Sequence, residues 1–283
     1  MTRRAGGEGM REPKPAVAIT HGARKRFGQH FLTDPSILGR IADAVGIVAG
    51  VTVVEIGPGR GALTAPLVSR VGPSGRLIAV EVDRDLAASL RTHYAERPEV
   101  TIHCGDVLDT DIGALAGGPY LLAGNIPYNI TTPILFRALE RPRAKRMVFL
   151  VQREVAERLA AAPASETYGA LSANVQAVAT IEILFKVSAG AFVPPPQVDS
   201  AVIRVTPRTD PDIEAHEEAG FRTMVQGLFS FRRKQMVRGV RDVCAVNGQG
   251  AVELLDRAGI RHTDRPEVLG PADFARLLRA WMR

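Results

Sequence analysis

The stretch "VTVVEIGPGRGALT", residues 51–64, joins a short run of β-branched residues to three glycines and then to a helical pattern. Gly57, Gly59 and Gly61 have the spacing G-x-G-x-G, and glycine lets the backbone turn tightly and approach a nucleotide closely. A following helix offers unpaired N–H groups at its N-terminus. The stretch therefore predicts a strand, a ligand-binding turn and a helix, which together form the first unit of an α/β sheet.

Further along the chain, β-branched runs keep alternating with helical patterns, which indicates a mostly parallel sheet covered on both faces. The predicted strands are 51–56, 76–82, 100–104, 120–124, 146–151, 181–187 and 198–205. The predicted helices are 35–46, 61–71, 84–95, 131–140, 152–162 and 168–179. No long helix separates the last two strands, so we expect them to form an antiparallel pair at the sheet edge.

The sequence divides into a flexible N-terminal leader (1–22), an α/β domain (23–207) and a small helical domain (208–283). The second boundary lies in a segment rich in Pro and Asp, 206–212, after which strand patterns end. The leader has arginines but no apolar region typical of a secretory signal, so we expect a cytoplasmic protein. The longest uncharged stretch, Ile112–Phe136, is interrupted by glycine and proline, and we therefore predict no membrane segment.

The 283 residues are 46% apolar and 23% charged, an ordinary globular composition. Cys104 and Cys244 lie far apart, and the six histidines are scattered, so neither a disulfide framework nor a metal site is predicted.

Net charge is +6, with seven Lys or Arg and two Glu in residues 1–28. A second basic cluster lies in "FRRKQMVRGVR", and we call residues 232–241 the basic segment. Together they favour a polyanionic partner over the alternative of two solvated surface segments.

Two carboxylates follow the glycines in the order that a bound nucleoside requires. Glu81 lies twenty residues beyond Gly61, at the end of the second strand, where it can accept hydrogen bonds from both ribose hydroxyls. Asp106, after the third strand, can accept from an adenine amine, although an isolated Asp there is commonly a turn residue. The third glycine comes one residue earlier than in G-x-G-x-x-G, which favours S-adenosyl-L-methionine (SAM) and leaves NAD as the alternative.

The fourth strand ends in "NIPY", Asn125 to Tyr128, where ligands bind in open α/β sheets. An adenine amine is a poor nucleophile, and two acceptors, the Asn125 side-chain oxygen and the Ile126 carbonyl, would expose its lone pair. Pro127 stiffens the turn and has no N–H. Tyr128 offers a face for stacking an extruded base. The alternative is a turn that merely ends the strand.

The chain resembles the ribosomal RNA adenine dimethyltransferases over nearly its whole length after residue 22. The segments that carry the resemblance are "ARKRFGQHFL" (23–32), "VVEIGPGRGALT" (53–64), "EVDRDL" (81–86), "GNIPYNITTPILF" (124–136), "YGALS" (168–172), "AFVPPPQVDSAVIRV" (191–205) and "LFSFRRKQM" (228–236). The resemblance implies a Rossmann-like SAM-dependent methyltransferase domain and a helical C-terminal domain. It also implies N6,N6-dimethylation of two adjacent adenosines in the 3′-terminal hairpin of 16S rRNA in the small ribosomal subunit or its precursor, with a role in ribosome biogenesis. We expect a monomer.

The residues expected to bind the cofactor are His30, Leu32, Gly57, Gly59, Glu81, Asp106 and Asn125. Those expected at the target adenine are Asn125, Ile126, Pro127, Tyr128 and Phe192. Phe192 would be a second stacking face, and the alternative is that it is a core aromatic of an edge strand. Those expected to hold the RNA backbone are Arg24, Lys25, Arg26, Arg232, Arg233, Lys234 and Arg238. No metal ligand is expected.

Two departures from the family pattern keep alternatives open. The family often has Asn at the position of His30, and "NIPY" is frequent in relatives that methylate 23S rRNA and confer macrolide resistance, where "NLPY" is the commoner housekeeping form. A 23S rRNA adenine methyltransferase is therefore one alternative. A ribosome-assembly factor whose methylation is secondary is another, and a methyltransferase for protein amides, which typically has N-P-P-Y, is a third.

Overall fold

In a computed structural model, which describes residues 30–282, the α/β part of the chain is organised around a seven-stranded sheet. Its strands are β2 (Thr52–Ile56), β3 (Arg76–Glu81), β4 (Val100–Cys104), β5 (Tyr120–Asn125), β6 (Arg146–Gln152), β7 (Ala179–Val187) and β9 (Ser200–Pro207). All seven predicted strands are confirmed. Two short strands that the sequence did not predict, β1 (Phe31–Leu32) and β8 (Phe192–Val193), pair antiparallel outside this sheet.

The strand order β4-β3-β2-β5-β6-β9-β7 explains where a ligand can bind. β2 pairs in parallel with both β3 and β5, so the order of the chain reverses between β2 and β5. Ligands of open parallel sheets bind at such a reversal, outside the carboxyl ends of the strands. β9 runs antiparallel to both β6 and β7, which confirms the predicted antiparallel pair at the edge.

The helices of the described residues are α1 (Pro35–Val45), α2 (Thr64–Val71), α3 (Arg84–His93), α4 (Ile112–Ala116), α5 (Thr131–Ala138), α6 (Arg153–Ala160), α7 (Ala170–Gln176), α8 (Glu218–Phe229), α9 (Met236–Val243), α10 (Gly248–Ala258) and α11 (Pro271–Met282). Asp34 begins α1 because its carboxylate accepts the N–H groups of Ser36 and Ile37. α2 starts three residues later than predicted, and the positive φ of Gly61, 82°, is incompatible with a right-handed helix there. The sequence did not predict α4, which is only five residues long.

Two clusters of buried apolar side chains cover the faces of the sheet. Alternation along β2 assigns Val53 to one cluster and Val54 and Ile56 to the other. The cluster that contains Val54 and Ile56 continues into the C-terminal helices, where it includes Phe221 and Leu277. The sheet and the predicted helical domain thus share one core, and the boundary after residue 207 stays a prediction. None of the helices between residues 30 and 282 is long and apolar enough to cross a membrane.

Candidate functional site

A cavity of about 240 Å³ lies at the reversal of strand order. It is lined by the turn after β2, the ends of β3 and β5, the loop after β4 and the segment around β1. Gly57 and Gly59 lie in this lining with φ of 63° and 57°, in the region that glycine tolerates best. A Cβ on Gly59 would also lie 3.2 Å from the ring of Phe31. The glycine turn predicted from the sequence is therefore confirmed as a turn that only glycine fits well.

Glu81 is the carboxylate that ties the end of β3 to this turn. It lines the cavity, is 3% exposed, and accepts the Gly59 N–H at Oε2 and the Asp83 N–H at Oε1, each at 2.9 Å. Burial raises the pKa of Glu81, and the backbone N–H groups of Asp83, Gly59 and Val82 partly oppose that effect by stabilising the anion.

Glu55, near the end of β2, is a second buried carboxylate at the cavity, and it is 1% exposed. Its Oε2 has no hydrogen-bond partner among the described residues. Burial raises the pKa of Glu55 to about 8, and the negative charge of Glu81 adds to the effect.

Asp106 contributes a third carboxylate from the exposed end of the loop after β4. Its Oδ1 accepts the Leu108 N–H at 2.9 Å, so it is a turn residue as well as a lining residue. We call the cavity lined by Glu55, Glu81 and Asp106 the acidic cavity. Among its described lining residues there is no Lys or Arg. Its charge therefore suits a cationic ligand and opposes a pyrophosphate.

The Asn125 side chain has a defined orientation at the end of β5. Its Nδ2 donates to the backbone carbonyl of His30 at 3.1 Å. Because a carbonyl can only accept, the amide nitrogen must be on that side, and the side-chain oxygen is left for another donor. This is the orientation that the predicted contact with an amine requires.

The Ile126 and Pro127 carbonyls differ in availability. The Ile126 N–H donates to the Leu150 carbonyl at 3.1 Å, which fixes the peptide to the sheet. The Pro127 carbonyl already accepts from the Ile130 N–H and the Thr131 hydroxyl. No N–H or O–H group of residues 30–282 donates to the Ile126 carbonyl. Of the two, the carbonyl that the sequence predicted for substrate contact is the free one.

Tyr128 and His30 lie together at the cavity. Their rings stack with centroids 5.6 Å apart and planes inclined by 24°. Both line the cavity, as does Leu32, which is buried beside the glycine turn. The structure therefore brings together all the predicted cofactor residues and the whole "NIPY" motif, while the individual contacts with a ligand stay predictions.

Phe192 is the exception among the predicted site residues. Its backbone pairs with Leu32 between β8 and β1, and its side chain is 2% exposed in one of the two core clusters. It does not line the acidic cavity. The ring therefore lies in the core, as the alternative of a core aromatic predicts, and its role as a second stacking face stays a prediction.

The predicted RNA-contacting cations are of two kinds. Arg232 donates to the Glu267 carboxylate at 2.9 Å and to the Glu166 carbonyl at 2.6 Å, and Arg238 pairs with Asp242. Arg233 and Lys234 are exposed, and neither forms an ion pair within the described part of the chain. Arg24, Lys25 and Arg26 lie outside the described residues.

Sequence reasoning missed three residues of this region. Glu55 stands inside an apolar strand, and a charged residue at a position expected to be buried is a usable signal. Val82 lines the cavity although 48% exposed, but nothing in a single sequence sets it apart from its neighbours. Ser200 hydrogen-bonds the Tyr128 hydroxyl across 72 residues of chain, a contact that no local pattern indicates.

The family model described as ribosomal RNA adenine dimethylase matches residues 20–278. A relative named ribosomal RNA small subunit methyltransferase A, from Xanthomonas euvesicatoria, is 43% identical over 90% of this chain and 95% of its own. A solved dimethyladenosine transferase from Plasmodium falciparum superposes with a TM-score of 0.74 at 25% identity, covering 88% of this chain and 96% of that one. The solved structure of the 23S rRNA methyltransferase ErmE superposes with a TM-score of 0.67 at 26% identity, covering 89% of this chain and 100% of that one.

Proposed function

The chain belongs to the ribosomal RNA adenine dimethylase family, and from that premise we propose that it transfers methyl groups from SAM to N6 of two adjacent adenosines in the 3′-terminal hairpin of 16S rRNA. Each adenosine receives two methyl groups, during biogenesis of the small ribosomal subunit. The observation that carries the proposal is the orientation of Asn125, whose Nδ2 is held by His30 so that its side-chain oxygen can accept from an amine.

The proposed chemistry uses two acceptors and no strong base. The Asn125 side-chain oxygen and the Ile126 carbonyl accept the two N–H hydrogens of the adenine amine, which turns the nitrogen lone pair toward the methyl donor. When bound, SAM would supply an electrophilic methyl on a positively charged sulfur, and transfer would break that S–CH3 bond and leave a neutral thioether. The amine becomes strongly acidic only after it is methylated, so its proton can leave to water. The neutral amide of Asn125 is therefore sufficient.

The acidic cavity supports SAM over NAD as the cofactor. SAM carries a sulfonium and an ammonium group, and both are favoured by the carboxylates of Glu81 and Asp106 at this cavity. NAD carries a pyrophosphate, which the same carboxylates disfavour because no Lys or Arg lines this cavity in the described chain. In this proposal Glu81 accepts from the ribose hydroxyls and Asp106 from the adenine amine of the cofactor.

The small-subunit substrate is favoured over the alternatives by the similarities. The relative named for the small ribosomal subunit is 43% identical, whereas ErmE, named for 23S rRNA, is 26% identical. The acidic cavity, with Asn125 correctly oriented beside it, favours an enzyme over an assembly factor that only binds. The exposed cations of the basic segment give the chain a surface for RNA phosphates, for which a protein amide substrate offers no reason.

The proposal is tested with tritiated SAM supplied separately to immature small and large ribosomal subunits, followed by mapping of the labelled nucleosides. We expect N6,N6-dimethyladenosine at two adjacent positions near the 3′ end of 16S rRNA. Label in 23S rRNA would favour the resistance-type activity, and label in protein would favour amide methylation. Binding to small subunits without any label would replace the enzyme by an assembly factor.

A further inference from the structure

The hydroxyl of Tyr128 is bonded to a buried side chain instead of facing the cavity alone. Its oxygen lies 2.5 Å from Oγ of Ser200 at the start of β9. Ser200 is 0% exposed and pairs with Gln152 on one side and Val187 on the other, so the sheet holds its backbone in place. A hydrogen bond to so rigid a partner fixes the edge of the Tyr128 ring.

A second contact fixes the plane of the same ring. The imidazole of His30 stacks against Tyr128, and its Nδ1 lies 2.9 Å from the Pro194 carbonyl, which can only accept. The His30 backbone carbonyl receives the Asn125 amide. His30 thus covers one face of Tyr128 and is itself held from two sides. A base can stack only on the opposite face.

We propose that Ser200 is a positioning residue, which sets the angle of the Tyr128 ring so that the target adenine stacks on the face not covered by His30. The inference rests on the proposed function, in which Tyr128 stacks the adenine whose amine Asn125 receives. Transfer needs that amine within a fraction of an ångström of its productive position, because misplacement of a reacting group is costly. A Tyr128 ring free to tilt about its Cβ would move the stacked base and its amine together.

The arrangement also gives the Tyr128 hydroxyl its role. Both Oγ of Ser200 and the phenol oxygen can donate or accept, so the pair satisfies itself without the substrate. The alternative is that the hydroxyl contacts the RNA directly, with Ser200 filling space. If the two hydroxyls act through one shared bond, removing both oxygens slows methylation no more than removing one. If the Tyr128 hydroxyl contacts RNA directly, the two effects on the rate are independent.

The test is a double-mutant cycle with Ser200→Ala, Tyr128→Phe and the double variant, measured by single-turnover methylation at saturating SAM. One hydrogen bond of this kind is worth a small factor, so we expect each single variant to transfer about 3- to 10-fold more slowly. Because both substitutions remove the same bond, the double variant should be no slower than the slower single one. Equilibrium binding of SAM should not change.

A second measurement reports the base itself. An RNA hairpin with 2-aminopurine at the target position should lose part of its fluorescence when the base stacks on Tyr128. We expect Ser200→Ala and Tyr128→Phe to change this signal equally. The matched control is Ser172→Ala, which removes another hydroxyl buried to 0% exposure, one that contacts the Arg158 carbonyl away from the cavity. Ser172→Ala corrects for loss of general stability, which thermal unfolding measures in parallel.

The outcomes separate this inference from the proposed function. If the wild-type chain methylates no ribosomal RNA, the proposed function fails first. If the wild type is active but the effects of Ser200→Ala and Tyr128→Phe multiply in the double variant, or only Tyr128→Phe is slow, the positioning role is overturned. Should Ser200→Ala not fold, Tyr128→Phe still decides: an unchanged rate and an unchanged fluorescence signal contradict the proposal.

Discussion

The acidic cavity and the basic segment consist of side chains of opposite charge, and they differ in burial and in internal ion pairing. In the cavity, Glu55 and Glu81 are buried, and neither forms an ion pair within the described residues. In the basic segment, exposed cations predominate, but Arg232 and Arg238 already contact carboxylates of the chain itself. Ionising a buried acid without a counter-ion is costly, so such an acid points to a ligand, whereas an exposed ion pair is worth little and points to none.

The difference shows why charge in a sequence is an incomplete guide to function. The basic segment is conspicuous in the sequence, yet of its predicted RNA contacts only Arg233 and Lys234 form no side-chain ion pair within residues 30–282. Glu55 is inconspicuous in the sequence, yet burial raises its pKa from 4.5 to about 8. Four experiments test this contrast, from the largest expected effect to the smallest.

Glu55→Gln tests whether the buried charge in the cavity destabilises the fold. The pKa of Glu55 is raised from an ordinary 4.5 to about 8, so the folded chain holds a proton that the unfolded chain releases between those values. Stability is therefore lost as pH rises from about 4.5 to 8, by up to roughly 5 kcal/mol at about 1.4 kcal/mol per pKa unit. We expect the stability of Glu55→Gln relative to wild type to increase over that window.

Urea unfolding at pH 5 and pH 9 measures this change, because the linear extrapolation gives the unfolding free energy at each pH. The same substitution at the exposed Glu96 serves as the control. A trend of equal size at Glu96, or none at Glu55, would show that burial of Glu55 is not the cause.

Asn125→Ala separates the chemistry of the cavity from RNA binding by the basic segment. It removes the oxygen proposed to receive the adenine amine, and loss of one such preorganised group typically slows a reaction about 100- to 1,000-fold. We expect a loss of that size in single-turnover methylation with the affinity for RNA retained. Asn129→Ala, an exposed lining residue four positions away, is the control. Unchanged transfer in Asn125→Ala would refute this assignment of the site.

The parts of the site that sequence predicted well are those built from consecutive residues. The glycine turn and "NIPY" each lie at one strand end, so the α/β pattern alone brings them to the same edge of the sheet. The sequence left the role of Phe192 open because its burial depends on pairing with Leu32, 160 residues earlier in the chain. The contact between Tyr128 and Ser200 was missed for the same reason. Pairing between distant segments is set by the whole fold and leaves no local pattern.

Glu81→Gln asks whether the cavity needs a charged acceptor or only a hydrogen-bonding group of the same shape. A glutamine places an NH2 group against the N–H of either Gly59 or Asp83, both of which now donate to the carboxylate. A lost bond to a charged group corresponds to about a 10- to 100-fold weaker equilibrium. We expect SAM affinity, measured by titration calorimetry, to fall by that factor.

The control for Glu81→Gln is Glu99→Gln, which alters a buried carboxylate that pairs with Arg97 and does not line the cavity. If Glu99→Gln weakened SAM as much as Glu81→Gln, the loss would reflect general damage to this side of the sheet. Equal affinity of wild type and Glu81→Gln would remove Glu81 from the cofactor site.

Lys234→Ala and Arg232→Ala compare a free cation with a paired one in the basic segment. Lys234 can neutralise a phosphate at no cost to the fold, so its loss should weaken RNA binding only a few-fold but reduce the slope of log affinity against log salt by about 1. Arg232 must first leave Glu267 and the Glu166 carbonyl before it can contact RNA. Arg232→Ala should therefore lower the melting temperature and leave the salt slope nearly unchanged. Filter binding across a salt series and thermal unfolding measure both. Equal slopes for the two variants would mean that internal pairing does not decide which cations of the basic segment contact RNA.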